Sequence, residues 1–557
     1  MSAAVLTSAV ALIDAALAVY GDDDDIAAEL EAWRVRMREP LRLGIAGMVK
    51  AGKSTLLNAL IGERIAPTDA GECTRIVTWY RYGATPSVRA VHADGSETSL
   101  ALRRGDGRLQ LDLRGLDPDG IAHIDIRWPA LSLRSLVLVD TPGIESISER
   151  VSGRSLTFLT PARGGPSEAD AIVYLLRHLH PSDLSFLAAF RDADSGAGNS
   201  VNALAVLSRA DEVGGGRLDA LLSARGIAAR YREMPALRPL AVTVVPVAGL
   251  IAESARSMQE RDFAALREIA GWDRDQRDRL LLSADRFIRD GASVLDARTR
   301  AGLLDRFGIA GIRLGVALVR GGAATSQRLA EQLVIQSGLE ELRSVIRRQF
   351  RSRAAALKTR ALLAYMNDLV RSRPLAGADS LREGIEGLAD ASHELRELDV
   401  LARSRVDGLG LTGGVVDEAE RILGADGTDA AARVDAAPDA TRRQLAERAD
   451  ELLTRWRALA ESPSTSRAAQ RVCAVVVRTL DGILSEVGPA GGGGSMADVE
   501  AATGPGAGRR EQRRQQSEGQ EPGVREREHP ERHPGFAGTG ELQRDDAQPP
   551  EGGQRSA

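Results

Sequence analysis

Residues 41–60 read LRLGIAGMVKAGKSTLLNAL, and the order of residue types within them decides the fold. Leu41, Leu43 and Ile45 alternate as in a β-strand, Gly47-x-x-x-x-Gly52-Lys53-Ser54 follows, and Leu56, Leu57 and Leu60 then recur at helical spacing. Strand, glycine-bearing loop and helix in that order form a phosphate cradle. Successive backbone N–H groups and a helix N-terminus supply positive potential, Lys53 reaches the β/γ oxygens, and Ser54 offers a hydroxyl to Mg²⁺. The expected phosphate-binding run comprises Gly47, Val49, Lys50, Ala51, Gly52, Lys53, Ser54 and Thr55.

Downstream, residues 65–78 (IAPTDAGECTRIVT) are punctuated by Pro and Gly before a β-like run begins near Val77. Such a loop can close over a γ-phosphate and relax when it leaves, with Thr74 as the switch hydroxyl and Thr68 in reserve. Residues 85–128 alternate short strands and turns. The apolar run LVLV (136–139) then delivers Asp140-Thr-Pro-Gly143. There Asp140 is expected to hold Mg²⁺ and the Gly143 N–H to sense the γ-phosphate, making Ser54, Thr74 and Asp140 the metal set.

AIVYLL (171–176) and ALAVL (203–207) are continuous apolar runs suited to a parallel sheet covered on both faces. The second ends in Ser208-Arg-Ala-Asp211, at the strand end where open α/β sheets bind ligands. A carboxylate at Asp211 accepts two hydrogen bonds from the N1–H and exocyclic amine of guanine, a donor pair that adenine lacks. The motif ordinarily begins with Asn or Thr and has Lys second, so Ser208 and Arg209 depart from it. VTVVPVAGL (242–250) reads as a sixth strand followed by the loop, Ala248 and Gly249, whose backbone contacts the base. His178, His180 and Asp183 read as a helix start capped by Ser182 rather than a metal site.

With 73 basic and 78 acidic residues in 557, the net charge of −5 gives no global field to recruit nucleic acid. Cys73 and Cys473 are too few and too distant for a disulfide framework, which suits a reducing cytoplasm. No window offers the roughly 18 uncharged apolar residues of a membrane span. Residues 1–37 are expected to supply an N-terminal helix, with Leu6, Val10, Ile13, Leu17 and Tyr20 as its stripe, joining a helical bundle. Within that bundle a long helix is expected from Ser337 past Leu369, a second over Leu381–Leu398, a third around Trp456 and a fourth around Val476. The turn at its far end, near residues 408–427, carries Leu409 and Leu411, too little apolar area to anchor a membrane. Residues 489–557, opening with GGGGS, have the composition of a disordered tail.

These motifs together resemble the dynamin-like GTPases, and more closely the isoniazid-inducible dynamin-like proteins of mycobacteria, over residues 38–488. AGMVKAGKSTLLNALIG, APTDAGECTRIVTW, DTPG, SRADE and VVPVAGL carry the likeness. The resemblance implies an α/β P-loop GTPase domain with a mixed, mostly parallel sheet at 38–350 and an elongated helical neck and stalk at 351–488. It implies GTP hydrolysis with Mg²⁺, nucleotide-dependent self-dimerisation, membrane binding or remodelling at the inner face of the plasma membrane, and a related dynamin-like protein as a further partner. Lys53, Thr74 and Lys50 become the expected catalytic groups. Where eukaryotic dynamins carry a catalytic Gln, this chain has Val49. Two other readings stand beside this one: a regulatory GTP switch with a helical protein-docking stalk, and an ATP-using relative.

Overall fold

The computed structural model describes residues 2–66, 76–105, 108–111, 113, 115–142, 168–194, 201–289, 295–404 and 409–488. Thr68, Cys73, Thr74, Gly143 and the expected tail lie outside the described residues.

Eleven strands are present among the described residues: β1 (Leu41–Gly47), β2 (Thr78–Tyr82), β3 (Ser87–His92), β4 (Glu97–Leu100), β5 (Leu102–Gly105), β6 (Arg108–Leu111), β7 (Ile121–Trp128), β8 (Leu136–Asp140), β9 (Ala171–Leu176), β10 (Ala203–Ser208) and β11 (Val244–Val247). Nine form one sheet in the order β11-β10-β9-β1-β8-β2-β7-β3-β4, and β5 pairs with β6 as a separate hairpin. From β11 to β8 every pairing is parallel. β2 then runs antiparallel to β8 and parallel to β7, and β3 and β4 complete an antiparallel edge.

Burial follows this division. Every residue of β9, β10 and β11 is buried, as parallel strands covered on both faces require. In β3 and β7, buried positions are interspersed with exposed or half-buried ones, because one face of that part of the sheet meets water. The mixed, mostly parallel sheet is therefore the expected one, and β1 lies inside it between β9 and β8, with α3 (Lys53–Ile61) following the P-loop.

The helical parts differ from expectation in five places. Residues 1–37 form two helices, α1 (Ser2–Tyr20) and α2 (Asp24–Arg38), because the Asp23 carboxylate accepts from the N–H groups of Asp25 and Ile26 and starts a new helix. The buried face of α1 is Ala9, Leu12, Ile13, Ala16 and Tyr20, so Leu6, Val10 and Leu17 flank the stripe rather than line it. The long helix expected from Ser337 is broken: Leu339–Val345 passes into a π-helical turn, Ile346–Arg351, before Ala354–Ser372 resumes. The second expected helix is likewise two, Ala378–Ala391 and His393–Ser404, parted at Ser392 with ψ 106°.

The turn expected near residues 408–427 contains a short helix, Gly414–Ile422, and a second, Ala430–Val434, follows just beyond it. Leu409 is buried there, in a cluster with Leu401, Leu452, Trp456 and Val476. The third and fourth helices are Arg442–Glu461 and Arg467–Val487, and they belong to this second cluster. The stripe of α1, by contrast, packs in the cluster shared by the sheet and the helices Ala354–Ser372 and Ala378–Ala391. The two chain ends, expected in one bundle, thus bury their apolar faces in different cores.

A third core lies between β11 and Leu339. Helices Gly249–Arg256, Glu260–Gly271, Ala297–Arg320 and Ser326–Gln336 pack around Leu266, Phe287 and Phe307. The inserted segment returns to the sheet at Gly338, where φ is +81° and a Cβ would stand 2.2 Å from the Pro246 carbonyl oxygen. No helix among the described residues is long and apolar enough to cross a membrane.

Candidate nucleotide site

The carboxyl ends of β1, β8, β10 and β11 open on one edge, because those strands run parallel. At the end of β1, Gly47 has φ +145°, and a Cβ there would stand 2.5 Å from the Leu175 carbonyl oxygen. Only glycine lets β1 approach β9 so closely. Gly52 has φ +96° and precedes the first residue of α3. Its imaginary Cβ meets nothing within 4 Å, so here the backbone turn rather than space selects glycine. Lys50, with φ +63°, carries an exposed side chain, and Val49 is 43% exposed beside it.

Lys53 folds back over the loop, its Nζ donating to the carbonyls of Gly47 and Met48 at 3.2 and 3.3 Å. Burial pushes its pKa below the ordinary lysine value, and the charge of Asp140 opposes that. The Ser54 hydroxyl donates to Asp140 Oδ2 at 3.0 Å. Asp140 Oδ1 is buried with no hydrogen-bond partner among the described residues. Desolvation raises the Asp140 carboxyl to about 6, against the lowering influence of Lys53 and Ser54. The adjacent Thr141 is locked to β1, its hydroxyl donating to the Ile45 carbonyl at 2.9 Å. A hydroxyl and a carboxylate, one of whose buried oxygens is unpaired among the described residues, are hard oxygen donors that fit a Mg²⁺ ion.

The second half of the edge is a cavity of about 190 Å³ between the P-loop helix and the end of β10. Gly52, Thr55, Ser208, Arg209, Asp211 and Gly249 are among the residues lining it. Asp211 is 8% exposed, and burial raises its carboxyl to about 6, with Glu212 adding to the rise and Arg209 opposing it. Ser208 does not offer its hydroxyl to the cavity, since it donates to the Leu176 carbonyl at 3.1 Å and fastens β10 to β9.

Arg209 takes a left-handed φ of 51° and spans two loops: its Nη2 donates to the Lys50 carbonyl at 2.9 Å and its Nη1 to Glu212 at 2.7 Å. The departure from Lys at this position is thereby accommodated, because a guanidinium can brace the P-loop and the acidic neighbour at once. Ala248 and Gly249 were expected in a loop. Ala248 is the single link between β11 and the next helix and donates its N–H to the Ser337 carbonyl, whereas Gly249 already opens that helix and lies against Thr55.

Two further features are not legible in the motifs. Asn58, 1% exposed within α3, accepts from the Ile65 and Ala66 N–H groups and donates to the Ala66 carbonyl and Glu253. It pins the root of the loop that leads to Thr74. An Asn interrupting the apolar run LLNAL is the one sequence signal for it. At the loop of His178 and His180, Asp183 rather than Ser182 caps the start of the helix Pro181–Asp194: it is fully buried and accepts from the His180 N–H at 2.8 Å and the Tyr174 hydroxyl at 2.7 Å.

The dynamin family profile matches residues 43–185, the stretch from β1 through β9 into the next helix. Isoniazid-induced protein IniC of Mycobacterium tuberculosis is 38% identical over 468 residues, which cover 84% of this chain and 94% of that protein. IniA of the same organism is 32% identical over 172 residues, 29% of this chain and 26% of its own. Among solved structures, an oligomerised bacterial dynamin pair described as sensing and tethering membranes shares 12% identity over 86% of this chain and 79% of its own, with a TM-score of 0.27. The chain's 38% identity to IniC over nearly the whole of that protein, together with the profile match from β1 through β9, means that the chain belongs to the dynamin family.

Proposed function

We propose that this chain binds GTP with Mg²⁺ at the edge described, hydrolyses it, and couples hydrolysis to dimerisation and to membrane binding or remodelling. The observation that carries the nucleotide reading is that two complementary half-sites share that edge: Ser54 with Asp140 and its unpaired Oδ1, and the Asp211 cavity. At about 190 Å³ the cavity is below the roughly 300 Å³ at which whole-ligand pockets begin, and suits the base alone.

Lys53, held over the loop by two carbonyls, is placed to turn to the β- and γ-phosphates. A phosphate there also restores the counter-charge that burial withholds from the ammonium. Ser54 and Asp140 are the metal ligands, and Mg²⁺ when bound neutralises charge on the phosphate oxygens. The ionised Asp211 carboxylate accepts from the guanine N1–H and amine, while Thr55 and Gly249 line the same cavity. Val49 cannot orient water, so that task falls to the loop backbone, Thr74 and the Gly143 N–H. Lys50, exposed beside the P-loop, is the remaining cation for the developing charge. Family membership supports the membrane and dimer parts. The catalytic part is assigned to residues 38–350 and the neck and stalk to 351–488, with the π-helical turn Ile346–Arg351 at their border.

Binding of GTP, XTP and ATP to the purified chain, phosphate release, and co-sedimentation with anionic vesicles test this reading. The expected result is Mg²⁺-dependent GTP hydrolysis, tighter binding of GTP than of XTP or ATP, and nucleotide-dependent vesicle binding. Lys53→Ala is expected to abolish nucleotide binding, and Asp211→Ala to lose base choice more than phosphate affinity. Equal affinity for GTP and XTP contradicts the Asp211 role. Hydrolysis without vesicle binding leaves a regulatory switch with a docking stalk, and preference for ATP leaves an ATP-using relative.

A further inference from the structure

The loop after Asp211 leaves the base cavity through three successive glycines, Gly214, Gly215 and Gly216, with φ of +62°, +76° and +70°. Glycine enters the left-handed region at little cost and leaves it as readily, so local preference does not fix the path of this loop. Beside the turn's own bond from the Gly216 N–H to the Val213 carbonyl at 3.3 Å, the side chain that fixes it is Arg313, 97 positions beyond Gly216, on the helix Ala297–Arg320. Arg313 Nη1 donates to the Gly216 carbonyl at 2.6 Å and the Gly215 carbonyl at 3.4 Å. Its Nε donates to the Leu281 carbonyl and its Nη2 to the Leu282 carbonyl, each at 2.8 Å. One planar fork therefore joins four carbonyls of two separate loops, a geometry that a point-charge ammonium cannot reproduce.

The contact is close on the loop side as well. A Cβ on Gly216 would stand 3.3 Å from Ala310 Cβ and 3.3 Å from the Asp211 carbonyl oxygen, so the loop doubles back against the residue that reads the base. The helix carrying Arg313 is in turn seated on the roof of the cavity. A Cβ on Gly311 would stand 3.1 Å from Ile251, which belongs to the helix opened by Gly249.

We propose that Arg313, from outside the nucleotide motifs, is a positioning residue for base selection: by clamping the Gly215–Gly216 carbonyls it holds the loop that keeps the Asp211 carboxylate in the base cavity. This role rests on the reading of that cavity as a guanine site. It makes the helical insert, and not the sheet alone, a determinant of which nucleotide is accepted.

Affinities of the full chain for GDP and ADP, measured by displacement of a fluorescent GDP, test it in Arg313→Gln, Arg313→Lys and Ala310→Leu. Arg313→Gln is expected to weaken GDP about tenfold and ADP less than about twofold, so that the ratio collapses while the phosphate contribution stays. Arg313→Lys is expected to fall between, since an ammonium can serve only some of the four carbonyls. Ala310→Leu presses on Gly216 with Arg313 intact, and is expected to lower the same ratio. An unchanged ratio in folded variants, or an equal loss for both nucleotides, overturns the role of Arg313 and leaves the guanine reading intact. A parent chain that binds GDP and ADP alike overturns the guanine reading itself, and the positioning role with it.

Discussion

The Ser54 hydroxyl stands 3.0 Å from Asp140 Oδ2 although 86 positions separate the two residues. Parallel pairing of β1 with β8 sets Ile45 opposite Asp140, which brings the carboxylate level with the start of the P-loop. Ser54 follows one turn into the cradle. The remaining carboxylate oxygen, buried and unpaired among the described residues, is the point from which the chemistry of this edge can be tested.

Asp140 titrates near 6 in the fold against an ordinary 3.8, because burial disfavours its charge. A carboxyl raised in this way contributes stability below its unfolded pKa, and that contribution is lost as pH rises through about 6. Metal binding needs the ionised form and works in the opposite direction. Mg²⁺ is therefore expected to raise the melting temperature of the GDP-loaded chain at pH 7.5 and to do little at pH 5, with Asp140→Asn removing the response. Thermal unfolding across that pH range with and without Mg²⁺ measures this, and a full Mg²⁺ response in Asp140→Asn contradicts the assignment.

Asn58→Ala is expected to leave the Ile65 and Ala66 N–H groups and the Ala66 carbonyl without their side-chain partner at the root of the switch loop. Stranding buried polar groups costs about 1–3 kcal/mol each at most, so a loss of a few kcal/mol in stability should accompany slower turnover. GDP affinity should change less than kcat, because the P-loop itself is untouched. Denaturant unfolding and steady-state hydrolysis read the two effects separately.

Thr74→Ala is expected to abolish hydrolysis and leave GDP affinity nearly unchanged, since a group engaged with the γ-phosphate contributes little to the diphosphate complex. Thr68→Ala should have a much smaller effect, and the reverse outcome would make Thr68 the switch hydroxyl in place of Thr74. Specific activity should also rise with protein concentration if closure occurs where two nucleotide faces meet. A flat profile from nanomolar to tens of micromolar argues for the regulatory switch.

In the second helical core, burial alone would raise Glu397, but hydrogen bonds from His393, Arg433 and Thr479 hold it at about 2. Arg433 reaches both carboxylate oxygens, at 2.5 and 2.9 Å, and the Thr479 hydroxyl donates at 2.8 Å. A depressed carboxyl stabilises the fold above its unfolded pKa of 4.5, and the contribution is lost as pH falls toward 2. Glu397→Ala should cost up to about 3 kcal/mol by leaving the half-buried Arg433 guanidinium without its carboxylate, with only the Thr428 and Ile422 carbonyls as partners among the described residues. It should also flatten the acid limb of the stability profile, as urea unfolding between pH 2 and 6 would show.

The cradle and the run of strands that feed it are legible in the residues alone. A P-loop is built within about fifteen consecutive residues, from glycines that accept unusual φ and a helix that begins at Lys53, and local chemistry is enough for that. Continuous apolar runs likewise marked β9 and β10 as buried parallel strands before any neighbour was known. Whatever depends on contacts between distant segments emerges only in the folded chain. Helical periodicity names a buried face but not the face that meets it, so it could not show that α1 and the helix Arg467–Val487 enter different cores. Nor does it register a π-helical turn or a break at Ser392, where the apolar period continues while the backbone hydrogen bonds change. Asn58 and Arg313 gain their roles only when carbonyls and N–H groups from other loops are folded against them, because a side chain's hydrogen-bond partners are fixed by position in space and not by spacing along the chain.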